Sequence, residues 1–90
     1  MDERSVLSRL VKIARKTLLL SNHLGSIGYD NNPYADIYGD AADAIYYMLG
    51  ERTNNFCESI TYMVLTSEKI TDAQRVDILL NQYTKRFASA

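Results

Sequence analysis

The chain reads as an all-α protein, a small antiparallel helical bundle of about four helices. Three observations predict this. Apolar residues recur at i, i+3, i+4, i+7 spacing over long stretches. Helix-starting signals stand at Asn32-Pro33 and at Thr71-Asp72-Ala73-Gln74. No segment shows the alternating, β-branched pattern of a strand, so no sheet is expected.

The first helix is expected from Glu3 to about Asn22. Val6, Leu10, Ile13, Ala14, Thr17 and Leu20 form its apolar stripe, and Leu7, Val11 and Leu18 broaden it. Arg4, Ser8, Arg9, Lys12, Arg15 and Lys16 fill the other half of the circumference, with Leu19 pointing outward among them. Gly25 is suited to end the helix in a left-handed conformation. Residues 25–32 carry dense turn chemistry and read as a connecting loop.

Asn32 then caps a second helix with proline at its first position, running from Pro33 to Leu49 and stopped by Gly50. Its inward stripe is expected to be Tyr34, Ile37, Tyr38, Ala41, Ile45, Met48 and Leu49. Gly39 inside this helix costs roughly 1 kcal/mol against alanine. That cost suggests either a close approach of another backbone or a kink.

Thr53, Asn54 and Asn55 offer caps for a third helix that ends near Thr66, with Phe56, Ile60, Met63 and Val64 inward. Thr71 and Gln74 form a capping box for the fourth helix, which is expected to bury Val76, Leu79, Leu80, Tyr83 and Phe87. Short connections favour antiparallel neighbours.

The 90 residues make one helical domain, 47% hydrophobic and 23% charged, a composition that argues against disorder. A chain of this size buries only about 60% of its unfolded surface, so a homodimer would add useful burial. The lone Cys57 cannot form an intramolecular disulfide, which fits a reducing, cytoplasmic setting. Met1-Asp2-Glu3-Arg4 is not followed by an apolar leader, and the longest apolar run is Ala44–Leu49. Neither a secretory signal nor a membrane span is expected.

Net charge is −1, but it is segregated. Residues 1–24 hold five basic and two acidic residues, and residues 25–60 hold one basic and six acidic. No Cys/His cluster at metal-ligand spacing exists, and Gly25-Ser26-Ile27-Gly28 is too short for a phosphate loop. His23 fits a helix C-terminus and Cys57 a structural position, since no pattern assigns it a base. No catalytic residue, metal ligand or cofactor is expected.

Two features point to binding. Asp36, Asp40, Asp43 and Tyr47 are spaced i, i+4, i+7, i+11 and form one stripe opposite the second helix's apolar face. Tyr29, Tyr34, Tyr38, Tyr46 and Tyr47 place five of the seven tyrosines between residues 29 and 47. Tyrosine is enriched at interfaces and their hot spots. The expected surface is therefore Tyr29, Asp36, Asp40, Asp43, Tyr46 and Tyr47, and the expected occupant is a protein partner with a basic surface. On the competing reading the stripe pairs internally with Arg9, Lys12 or Lys16 of the first helix.

The segment Gly39-Asp40-Ala41-Ala42-Asp43-Ala44-Ile45-Tyr46-Tyr47-Met48-Leu49 resembles the second metal motif of the all-α nucleotide pyrophosphohydrolases of the MazG type. In that family an acidic residue, two spacers and an aspartate precede an apolar run, and Asp40 and Asp43 stand in those places. The resemblance implies magnesium-dependent pyrophosphate hydrolysis, with a further acidic pair on an earlier helix. Here the earlier helix carries Arg4, Arg9, Lys12, Arg15 and Lys16, with only Asp2 and Glu3 at its start. That composition leaves a degenerate or oligomer-completed enzyme as the alternative to a non-enzymatic interaction module. A third reading, nucleic-acid binding through the basic first helix, lacks an aromatic residue among Arg4 to Lys16.

Overall fold

Side chains at the helix ends start and stop most of the helices in the computed structural model, which describes residues 2–23, 32–51 and 59–88, with side chains to residue 84. Asp2 opens α1 (Glu3–His23) by accepting the Ser5 amide at 2.8 Å. The backbone amide and the hydroxyl of Ser5 hold the Asp2 carboxyl below its ordinary pKa. This cap is therefore fully present above the ordinary carboxylate range and is lost as pH falls through the lowered value.

Asn32 opens α2 (Pro33–Leu49), its side chain accepting from the Tyr34 and Ala35 amides. The same side chain donates to the Ser21 carbonyl at 3.1 Å and the Ser21 hydroxyl at 2.9 Å. The start of α2 is thereby tied to the end of α1, so the two helices run antiparallel. Gly50 closes α2 at φ 62°, a conformation that disfavours any residue with a Cβ. Its amide bonds the Tyr47 carbonyl and the Glu51 amide bonds the Tyr46 carbonyl, a Schellman arrangement.

α3 (Ile60–Thr66) has seven residues, too few to persist on helix propensity alone. Ser59 caps it by accepting the Tyr62 amide at 2.9 Å. Glu51, delivered by the Schellman turn, accepts the Ile60 and Thr61 amides at 2.7 and 3.2 Å and the Thr61 hydroxyl at 2.5 Å. At the other end Arg75 donates to the Val64 carbonyl at 3.1 Å, to the Ser67 carbonyl and to Asp72 at 2.7 Å. Arg15 donates to the Leu65 carbonyl at 2.6 Å. An anion at the N-terminus and two cations at the C-terminus complement the helix dipole. Partial burial, and then the neighbouring Arg75 charge, lower the Arg15 pKa from its ordinary value. Asp72 and Glu68 offset part of that cost.

α4 (Asp72–Ala88) starts with the expected capping box, in which Gln74 accepts the Thr71 amide at 2.8 Å and Thr71 accepts the Gln74 amide at 3.1 Å. Arg4 pairs with Asp77 at 2.6 Å while Arg15, farther along α1, lies near Asp72 and Arg75. α1 and α4 are therefore antiparallel as well. Among the described residues the molecule is an all-α bundle of four helices with no strand. α1 is its hub and packs against each of the other three. The core joins Leu7, Val11 and Ala14 of α1 to Ala41, Ala42, Ile45 and Leu49 of α2, Val64 and Leu65 of α3, and Val76 and Leu79 of α4.

The buried stripes are rotated from those expected. On α1 the fully buried positions are Leu7, Val11 and Ala14, whereas Ile13 is 45% exposed. The apolar arc spans half the helix, so periodicity alone does not choose its centre; Arg15 and Arg4, by reaching α3 and α4, turn the Leu7 side inward. On α2 Ala35, Ala41 and Ala42 are buried, while Ile37 is 43% exposed and Tyr34 and Met48 are partly buried. Ala41 and Ala42 share one core cluster with Ala14 of α1. Met63 of α3 is exposed, and Thr61 and Leu65 are buried in its place. The cap candidates at 53–55, together with Phe56, Cys57 and the 24–31 segment, lie outside the described residues.

Gly39 does not mark a close approach: a Cβ built there meets no atom within 4 Å. Gly39→Ala is expected to stabilise the protein by about 0.5–1 kcal/mol, because alanine removes the entropic penalty without a clash. Urea denaturation checks this, and a loss of stability would contradict it.

Candidate functional site

α2 divides its residues between two tasks. Its inner side carries Ala35, Ala41, Ala42, Ile45 and Leu49 into the core. Its outer side presents Asp36, Ile37, Asp40, Asp43, Ala44 and Tyr47, all exposed. The 3.6-residue period that buries the first set obliges the second to face away.

Tyr47 is the extreme case at 91% exposed. It stands one helical turn beyond Asp43 at the end of the aspartate stripe. Tyr46 is half-buried beside it. Asp43, Tyr46, Tyr47, Gly50 and Glu51 border a shallow depression of about 440 Å³ at this end of the helix. At the stripe's middle, Gly39 and Asp43 border a groove toward Tyr62 and Thr66 of α3. Tyr29, expected at the same surface, lies outside the described residues. The structure thus brings Asp36, Asp40, Asp43 and Tyr47 onto one exposed face, with Tyr46 at its margin.

No ion pair found among the described residues involves the three aspartates. The internal pairing with Arg9, Lys12 or Lys16 is therefore not seen, and those three bases are themselves exposed. The ion pairs that do form, Arg4–Asp77 and Arg75–Asp72, involve α4. Like charges at i, i+4 destabilise a helix by about 0.2–0.5 kcal/mol, so Asp36 and Asp40 together work slightly against the fold. Asp36 gains something from the helix N-terminus, but Asp40 and Asp43 lie beyond the first turn where that effect operates.

Among the described residues no three His, Cys, Asp or Glu side chains converge as a metal site would require. His23 ends α1 exposed. No helix of the described residues is long and apolar enough to cross a membrane.

Sequence reasoning missed Glu51, Arg15 and Arg75, whose roles are structural. A basic residue at 75, directly beside the buried Val76, was the signal available for the last of them. No protein-family model matches the chain, and no curated protein or solved structure is significantly similar to it.

Proposed function

We propose that this chain is a cytoplasmic, non-enzymatic protein-interaction module that regulates or inhibits a protein partner by docking through the outer face of α2. One observation carries the reading: Tyr47 stands almost fully exposed at the end of a carboxylate stripe that forms no ion pair among the described residues. A large aromatic ring held on a rigid helix loses little entropy on binding, and burying it yields substantial contact area. Three aspartates beside it favour a basic partner surface, whose attraction speeds encounter and orients the approach. The reducing compartment is supported by the lone cysteine of the sequence.

The test is affinity capture from extracts of the source cells, with Tyr47→Ala and with the double variant Asp36→Asn, Asp40→Asn beside wild type. A partner held by wild type should bind Tyr47→Ala more weakly by about 1 kcal/mol or more, the usual scale for an aromatic anchor. The double variant should associate more slowly, most clearly at low salt. Equal binding by all three proteins would contradict the reading.

A further inference from the structure

The basic surface that best matches the α2 face is present on the chain itself. Arg9, Lys12, Lys16 and Leu19 form the exposed side of α1, with three cations against the three aspartates of α2. On α1, Arg4 and Arg15 reach α4 and α3, so the flank bearing Ile13 and Leu20 is the one toward α2. On α2, Gly39 and Asp43 border a groove with Leu18 and Ser21 of α1 and Tyr62 and Thr66 of α3, so the flank bearing Ile37 and Ala44 is the one turned away from α3. The outward surface of the α1/α2 layer is therefore a half-exposed aliphatic seam with Ile13 and Ile37. A basic stripe lines one side and an acidic stripe the other.

We infer that this layer is the contact surface of a two-fold homodimer, in which α1 of each copy covers α2 of the other. The inference deepens the docking role given to α2 above and rests on it. The occupant is a second copy because the surface is self-complementary in charge, as an isologous interface must be. Charge also selects the symmetry axis. An axis across the helices would lay α1 on α1 and α2 on α2, like charge against like. An axis parallel to them lays α1 on α2, antiparallel and at the same level as within one chain.

Ser21 meets Asn32, so each step back along α1 corresponds to a step forward along α2. At that register Lys16 falls between Asp36 and Asp40, Lys12 between Asp40 and Asp43, and Arg9 between Asp43 and Tyr47. Guanidinium over a tyrosine ring is a favourable cation–π pair. A standard interface takes about 800 Å² from each partner, a modest share of the 6089 Å² the chain exposes.

Sedimentation equilibrium of the full chain tests the inference through charge reversal. Wild type should be dimeric at high micromolar concentration. The variant Lys12→Glu, Lys16→Glu should be a monomer under the same conditions, as should Asp40→Lys, Asp43→Lys. Circular dichroism verifies that each is folded. Mixed in equal amounts, the two variants should form a heterodimer, because all four stripes are then opposite in sign across both contacts. A chain carrying all four reversals should again self-associate, which keeps the test informative should one double variant fold poorly. Monomeric wild type, dimeric double variants or folded variants that do not combine would each overturn the inference. Monomeric wild type with a captured partner that depends on Tyr47 would overturn the homodimer alone. Binding of such a partner unaffected by Tyr47→Ala or Asp→Asn would instead overturn the α2 docking role.

Discussion

Arg75→Met is expected to destabilise the bundle by about 3 kcal/mol, because charge-assisted hydrogen bonds are worth roughly 1.5–3 kcal/mol each and their acceptors stay behind. Arg75 is only 3% exposed and serves Val64, Ser67 and Asp72 at once. Methionine retains much of the apolar stem but leaves the Val64 carbonyl without its side-chain donor. The melting temperature of a domain this size should fall by roughly 12 °C or more. Arg75→Lys should recover only part of the loss, since an ammonium cannot reproduce the planar fork. Thermal circular dichroism reads both values. A loss under about 1 kcal/mol for Arg75→Met would mean that α3 does not depend on this clamp.

Glu51→Ala is expected to cost about 2 kcal/mol, because it removes a capping carboxylate from two amides and a hydroxyl. The effect should be local as well as global. Amide hydrogen exchange at Ile60 and Thr61 should accelerate more than at Val76 or Leu79, which sit in the core of α4. Glu51→Gln, which keeps one acceptor oxygen, should fall between the two proteins. Uniform acceleration across α3 and α4 would contradict a specific cap. Together Glu51 and Arg75 explain how a helix of seven residues is held between two seventeen-residue ones.

The helix plan was legible because it depends on short-range chemistry. The caps at Asn32-Pro33, Gly50 and the Thr71–Gln74 box act within four residues of themselves, and each forms in the structure where the sequence places it. The centre of each buried stripe was not legible. On α1 the apolar arc is so wide that the sequence puts Ile13 in the stripe and Leu7 at its margin, whereas the contacts to α3 and α4 go with Leu7 buried and Ile13 exposed. The Glu51 and Arg75 braces join positions separated in sequence by eight to eleven residues, beyond the reach of any local pattern. The outer face of α2 could be read because a stripe opposite a buried one must be exposed, and the exposure of Asp36, Asp40, Asp43 and Tyr47 follows from the same period. What docks there is a matter of chemistry outside the chain's local order.

The central claim is that α2 folds with one face and binds with the other. The most direct test is urea denaturation of a variant carrying Asp36→Asn, Asp40→Asn, Asp43→Asn and Tyr47→Ala. It should be run across a tenfold range of protein concentration, so that any association is measured separately. The account predicts an unfolding free energy within about 0.5 kcal/mol of wild type, as for surface changes away from structural features. A modest gain is also expected where like-charge repulsion between the aspartates is relieved. A concentration-independent loss of about 2 kcal/mol or more would contradict it, since the stripe would then be part of what holds the bundle together.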